Sequence, residues 1–349
     1  MNTISNTSNE PAMCPYHPDL LATPVPRYTS YPTAAEFGPL AATHFAEALG
    51  NASGAVSLYV HIPFCEKICF YCGCNTGKSG KRQRLESYLD ALVCEIDLVS
   101  DMLRNDAHVR RIAFGGGSPN AISPTEFLSL VDCLIARFKI DDPTFSIEID
   151  PRTFSAEWAQ AIGSVGIERA SLGVQTFAPH CQEAIGRVQP EGLIERSVDL
   201  LRQNGITSLN FDLMYGLPHQ SQDDLHDSLQ RTVAIAPDRI ALFGYAHVPR
   251  LIARQRIIDG NALPDPEERF AMAQLGHAYL TEQGYRSIGF DHFAKPSDPL
   301  AQASATGKLR RNFQGFTDDQ SLVLIGLGSS AVSSFPKLLG THPVKAAAV

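Results

Sequence analysis

Six short apolar runs recur through the middle of the chain: Val56–Ile62, Val109–Phe114, Thr144–Ile149, Arg169–Val174, Ser208–Met214 and Arg239–Phe243. Each is the near-continuous hydrophobic stretch of a strand buried on both faces, as in a parallel sheet. Between them the apolar spacing lengthens to that of a helix. Leu85–Leu103 carries apolar residues at helical intervals, and Ser123-Pro-Thr-Glu126 is a capping box with proline at the first helical position, opening a helix to about Ala136. Ser155, the stretch from about Pro190 to Gln203, and Ser221-Gln-Asp-Asp224 start three more. Six such alternations predict an α/β fold, a parallel barrel that is complete or partial, with its reactive face at the C-terminal ends of the strands.

Composition narrows this little. With 349 residues, 44% hydrophobic and 19% charged, the chain has the balance of a globular protein of one large or two medium domains. A formal charge of −8 implies no basic face and argues against a nucleic-acid partner. No signal-peptide pattern opens the sequence, and no apolar run reaches membrane-spanning length; Leu322-Val-Leu-Ile-Gly-Leu327 fills only a buried strand or helix turn. A cytoplasmic, reducing location is expected. Residues 1–24, rich in Asn, Ser, Thr and Pro, read as a disordered lead-in, with Cys14 an exposed thiol of no consequence.

The chemistry concentrates directly after the first strand. Cys65, Cys69, Cys72 and Cys74 fall within ten residues, in a chain with no features that favour disulfides. A closed zinc site takes four ligands, usually as two separated pairs, and no second pair exists here. The single glycine between Cys72 and Cys74 makes it hard for both to join one site. The economical reading is three ligands, Cys65, Cys69 and Cys72, with one coordination position open; an iron–sulfur cluster fits this better than zinc or a dithiol relay. Cys74 is then either an additional thiol beside the substrate or a packed small residue.

The next strand exit carries Gly115-Gly-Gly-Ser118, where absent side chains let a ligand approach the backbone. Polar residues gather at the other exits: Glu148 and Asp150, Gln175, Asp212, and Tyr245-Ala246-His247. Charged groups inside apolar strands call for a ligand or a buried cation. Several on one rim form a polar crater.

The three-cysteine loop resembles that of the radical S-adenosylmethionine superfamily. Further strings are similar to the oxygen-independent coproporphyrinogen III oxidase family: Tyr59-Val-His-Ile-Pro-Phe-Cys65, Cys72-Gly-Cys74-Asn75, Pro26-Arg-Tyr-Thr-Ser-Tyr-Pro-Thr33, Gly115-Gly-Gly117, Asp212-Leu-Met-Tyr-Gly-Leu-Pro218, Asp291-His-Phe293 and Arg311-Asn-Phe-Gln-Gly315. The likeness spans about residues 25–335. It implies a partial (β/α)6 radical S-adenosylmethionine barrel over residues 56–250, an N-terminal arm over 25–55, a barrel extension on the substrate side over 251–335 and an atypical tail over 336–349.

The resemblance also implies roles. Cys65, Cys69 and Cys72 are expected to hold a [4Fe-4S] cluster whose open iron takes S-adenosylmethionine. Tyr59, Gly116, Glu148 and Val332 match positions that contact this first molecule. Tyr71, Gly117, Ser118, Gln175, Arg187, Asp212 and Ala246 match those around a second. The implied reaction is anaerobic oxidative decarboxylation of coproporphyrinogen III to protoporphyrinogen IX, driven by a 5′-deoxyadenosyl radical and fed by a reduced flavodoxin- or ferredoxin-type donor, in a monomer. Substrate carboxylates call for cations, with Arg27, Lys78, Arg310 and Arg311 as candidates; Cys74 and His292 are further candidates. The family continues past Gly326-Leu-Gly-Ser-Ser330 into a helical C-terminal domain, whereas Phe335–Val349 has no amphipathic period and resembles nothing there. That departure keeps other readings open: a radical enzyme acting on another tetrapyrrole, or a non-catalytic haem binder or degenerate remnant.

Overall fold

A computed structural model describes residues 15–21, 37–80, 82–339 and 342–347. Arg27 and the whole of its segment, residues 26–33, lie outside these. The six apolar runs form strands β1 (Gly54–Ile62), β2 (Ala107–Gly116), β3 (Ile140–Ile149), β4 (Arg169–Gln175), β5 (Ser208–Tyr215) and β6 (Arg239–Gly244). They lie side by side in chain order and all parallel. Right-handed crossovers of this kind place helices on the outer face. The helices are α1 (Ala42–Asn51), α2 (Arg82–Met102), α3 (Pro124–Arg137), α4 (Ala156–Val165), α5 (Pro179–Ala184), α6 (Glu191–Gln203) and α7 (Gln222–Ile235).

Start and stop signals act where the sequence places them. Ser123 and Glu126 exchange the two hydrogen bonds of the capping box, as do Ser221 and Asp224. Ser155 caps α4, which ends on Gly166 at φ 77°, a left-handed position that glycine occupies without strain. The inner helix faces bury Leu92, Ile96, Phe127, Leu134, Trp158, Ile162 and Leu201 against β1–β5, giving one continuous core.

Beyond β6 the chain adds α8 (Pro266–Glu282), β7 (Arg286–Ile288), β8 (His292–Ala294), α9 (Pro299–Ala305), β9 (Val323–Leu327), β10 (Val332–Leu339) and β11 (His342–Ala347). The sheet order is β11-β10-β9-β1-β2-β3-β4-β5-β6-β8-β7. β9, from the 322–327 apolar run, is a seventh parallel strand and pairs with β1 from Val56↔Val323 to Val60↔Leu327. The atypical tail extends the sheet as an antiparallel β10–β11 pair.

The ribbon Arg310–Asn312/Gly315–Thr317 and the residues after it face Ser57, Arg111, Arg169 and Arg239, near the strand starts. A cavity of about 350 Å³ lies there. Asp318 receives Arg169 through both guanidinium nitrogens, at 2.8 and 3.0 Å, and Arg111 at 2.9 Å; Arg239 pairs with Asp298 at 2.7 Å. Burial alone would raise the Asp318 carboxyl, but the two guanidiniums outweigh it and hold the group well below its usual range. Its stabilising contribution is therefore complete above the unfolded carboxylate pKa of about 3.9 and declines as pH falls below it. Urea unfolding at pH 6 and pH 3 is expected to show a steeper acid loss for wild type than for Asp318→Asn; parallel curves would contradict this.

Candidate active site

The cysteine loop leaves β1 through Pro63 and the two-residue strand Phe64–Cys65, which pairs in parallel with Gly77–Lys78. The glycine turn after β2 docks on it: Gly117 N–H donates to the Ile62 carbonyl at 2.9 Å and Ser118 N–H to the Phe64 carbonyl at 2.8 Å. Close approach explains the glycines. A Cβ on Gly117 would stand 2.5 Å from the Phe64 carbonyl oxygen, one on Gly115 would stand 2.8 Å from the Glu148 carboxylate, and Gly116 has φ 120°.

Together these strand exits enclose a cavity of about 430 Å³. Cys65, Cys69, Cys72 and Cys74 all line it, as do nine of the eleven anticipated cofactor residues: Tyr71, Gly116, Gly117, Ser118, Glu148, Gln175, Arg187, Asp212 and Ala246. Tyr59 and Val332 are outside that lining; Tyr59 is buried against Phe313 at a ring separation of 4.8 Å, and burial holds its phenol far above the usual range.

The thiols differ in their surroundings. Thr76 Oγ1 donates to Cys65 Sγ at 3.2 Å, and burial pushes this thiol up. The Cys74 thiol and N–H both hydrogen-bond Cys72, which lowers the Cys72 thiol and favours its thiolate. Cys69 Sγ receives one guanidinium nitrogen from Arg152 and one from Arg187, each at 3.4 Å. Three thiols on one cavity wall, with donors aimed at sulfur and a side-chain-free turn beside them, fit a thiolate-bound cluster with a ligand lying against the backbone.

Asp150 organises the wall behind Cys69. Its carboxylate takes Arg152 at 2.6 Å and Arg187 at 3.3 Å, and its N–H donates to Ser118 Oγ and Asn120 Oδ1. Burial opposes its ionisation; Arg187 and Arg152 more than offset this and keep Asp150 below the usual carboxylate range. The Ser118 hydroxyl thus accepts from Asp150 N–H and donates to Asn120 Oδ1.

On the cavity floor, shared with the lower chamber, stand Glu148, Ser171, Asp212 and Phe243. Burial, then the Asp212 charge, pushes Glu148 up to about 7, against one opposing hydrogen bond from Gly116 N–H at 3.3 Å. Burial also raises Asp212, although Ser171 and Asn210 each donate to it at 2.9 Å. Gln175 follows a bulge in the β4–β5 pairing and has φ 66°, uncommon for a side chain of its size. Bulge and left-handed backbone together turn it into the cavity.

The substrate candidates separate. Cys74 is at the cavity. His292, hydrogen-bonded to Asp291, lines the lower chamber, and Arg311 lies between the rings of Phe290 and Phe316, at 4.8 and 4.6 Å from their centroids. Neither lines the upper cavity, and Arg27 is outside the described residues. Two contributors had no counterpart in the sequence reading. Arg152 follows Asp150 in a strand-exit turn, a position that could have drawn notice. Gln255, almost fully buried, donates to the carbonyls of Tyr71 (2.8 Å) and Ala246 (3.1 Å) and accepts from Val248 N–H, tying the cysteine loop to the exit of β6. Nothing local in Ala253–Ile257 announces that.

Residues 59–232 match the model of the radical SAM superfamily. The chain is 42% identical over 318 residues to an oxygen-independent coproporphyrinogen III oxidase of Paracoccus denitrificans, covering 90% of this chain and 70% of the relative. An Escherichia coli protein of the same description is 40% identical over 311 residues, covering 88% and 68%. Among solved structures, the coproporphyrinogen III oxidase HemN of Escherichia coli, described as a radical SAM enzyme, superposes with a TM-score of 0.86 at 38% identity, covering 91% of this chain and 73% of that one.

Proposed function

Because this chain belongs to the oxygen-independent coproporphyrinogen III oxidases of the radical S-adenosylmethionine superfamily, we propose that its upper cavity is the reaction chamber, with Cys65, Cys69 and Cys72 holding the [4Fe-4S] cluster. The activity is the anaerobic oxidative decarboxylation of coproporphyrinogen III to protoporphyrinogen IX, in porphyrin and haem biosynthesis. The observation that carries this assignment is the convergence of the three thiols, the glycine turn and the Glu148 and Asp212 carboxylates on one cavity at the strand exits. When bound, the cluster and S-adenosylmethionine supply a 5′-deoxyadenosyl radical that removes hydrogen from a propionate side chain.

The protein's own part is to bind, orient and exclude water. Glu148 and Asp212 offer negative charge to a sulfonium or an amino group from the cavity floor. Gly116 and Gly117 let a nucleoside lie against the backbone. A second S-adenosylmethionine, around Tyr71, Gly117, Ser118, Gln175, Arg187, Asp212 and Ala246, is supported by the placement of all seven on this one cavity. We assign Tyr59 and Val332 to the first molecule on the family match alone. The donor is a reduced flavodoxin- or ferredoxin-type carrier, and the protein works as a monomer in the cytoplasm, whose reducing conditions suit free thiolates.

The decisive assay is anaerobic: cluster-loaded protein with dithionite, S-adenosylmethionine and coproporphyrinogen III, followed by chromatography. Both 5′-deoxyadenosine and protoporphyrinogen IX are expected. 5′-Deoxyadenosine without vinyl product would move the substrate to another tetrapyrrole, and neither product from a fully loaded cluster would overturn the assignment.

Glu148 also predicts a pH dependence. A cationic ligand favours the carboxylate, so S-adenosylmethionine affinity is expected to be near maximal above pH 7 and to fall below it by up to about tenfold per pH unit. Equilibrium dialysis across pH 6–8 reads this, with Glu148→Gln weaker and flatter; equal slopes would remove Glu148 from the site.

A further inference from the structure

Arg152 turns its backbone N–H, Nε and Nη2 to one place. Its backbone N–H and its Nε each donate to Asp150 Oδ1 at 3.0 Å, and Nη2 donates to Asp150 Oδ2 at 2.6 Å, to the Lys67 carbonyl at 3.0 Å and to Cys69 Sγ at 3.4 Å. The side chain is only 7% exposed. A fork locked on a carboxylate fixes where the second Nη2 hydrogen points, and here it is shared between the Lys67 carbonyl and the Cys69 sulfur. Arg187 reaches the same sulfur from the other side. Cys69 thus receives two charge-assisted contacts, whereas Cys65 receives a neutral hydroxyl and Cys72 the neutral thiol and N–H of Cys74. Two guanidiniums share one carboxylate, so the group beside Cys69 carries a net positive charge.

We propose that Arg152 is a positioning residue that raises the reduction potential of the cluster through its contact with Cys69 Sγ. The inference rests on the assignment of Cys65, Cys69 and Cys72 as ligands. A donor to a ligand sulfur draws electron density away from the metal and favours the reduced state, and hydrogen bonds to sulfur are among the factors that set such potentials. A cation in a low-dielectric wall acts in the same direction. By anchoring the Lys67 carbonyl, Arg152 also fixes the loop on which Cys69 stands.

The test uses the full chain, loaded with iron and sulfide under anaerobic conditions, in wild-type, Arg152→Gln and Arg152→Lys forms. Iron and acid-labile sulfide are measured first, then the midpoint potential is read by electron paramagnetic resonance during a redox titration without S-adenosylmethionine. At the wild-type midpoint, the ratio of reduced to oxidised Arg152→Gln is expected to drop about tenfold, about 59 mV for a one-electron couple. Arg152→Lys, which keeps the charge without the fork, should fall between and decides alone if Arg152→Gln takes up no iron. Arg152→Gln/Asp150→Asn removes the carboxylate that the single variant strands, and its potential should stay below wild type. Unmoved potentials in the single variants, or wild-type potential in the double variant, would overturn the proposal. A wild-type protein that takes up no cluster would instead overturn the ligand assignment, and the iron analysis separates the two.

Discussion

Cys69→Ala is expected to abolish both 5′-deoxyadenosine and protoporphyrinogen IX formation, leaving no turnover above the no-enzyme control. Of the three proposed ligands it is the most tightly held, being 5% exposed and reached by two guanidiniums. Its loss removes one of only three thiolates, and a cluster already one thiolate short has no reserve. It also leaves two buried N–H donors without their sulfur, an added destabilisation of roughly 1–3 kcal/mol. Iron content, product chromatography and thermal unfolding of the unloaded protein report these effects separately. Cys133→Ala, on α3 away from the cavity, should retain iron and turnover. Full iron and full turnover in Cys69→Ala would refute the assignment.

Asp150→Ala is expected to be the most damaging single change to the folded state, costing about 3–5 kcal/mol, because removing one partner strands buried charge. Both partners are enclosed, Arg152 being 7% and Arg187 8% exposed at the side chain. Urea unfolding of the unloaded protein measures the loss without cofactor effects. Asp150→Asn keeps an acceptor for one guanidinium and should fall between. A loss below about 1 kcal/mol for Asp150→Ala would mean that the arginines find other partners and that the carboxylate is dispensable.

Much of this architecture is visible in the sequence because its determinants are local. Each of β1–β6 is an apolar run that supplies its own burial signal, and Ser123–Glu126 or Ser221–Asp224 closes a capping box within four residues. The cysteine spacing is likewise contained in one loop, and strand-end residues such as Glu148, Gln175 and Asp212 follow once the strands are placed. What stays hidden depends on distant partners. Asp318 meets Arg111 and Arg169 across 207 and 149 residues, and Gln255 reaches Tyr71 across 184. Helix α8 opens with the box Asp265–Glu268, but buries only Met272, Gly276 and Leu280, so its amphipathic contrast is faint. Arg311 shows the opposite difficulty. A motif match marks it without saying which way the ribbon faces, and its guanidinium stacks on two phenylalanines.

The pairing of β1 with β9 bears on how the protein is made. The strand that launches the cysteine loop gains one neighbour early, from β2, and its other neighbour only when residues 323–327 have been synthesised. At ribosomal rates of about 5–20 residues per second the intervening chain takes roughly 13–53 s to emerge. Throughout that interval one edge of β1 is an unpaired apolar template, open to strands of other chains. Contacts this far apart in sequence also form slowly, since loop closure precedes any gain from pairing. The last of the parallel strands to be made is thus the one that covers this edge, and until it arrives the edge is the surface a chaperone would have to cover.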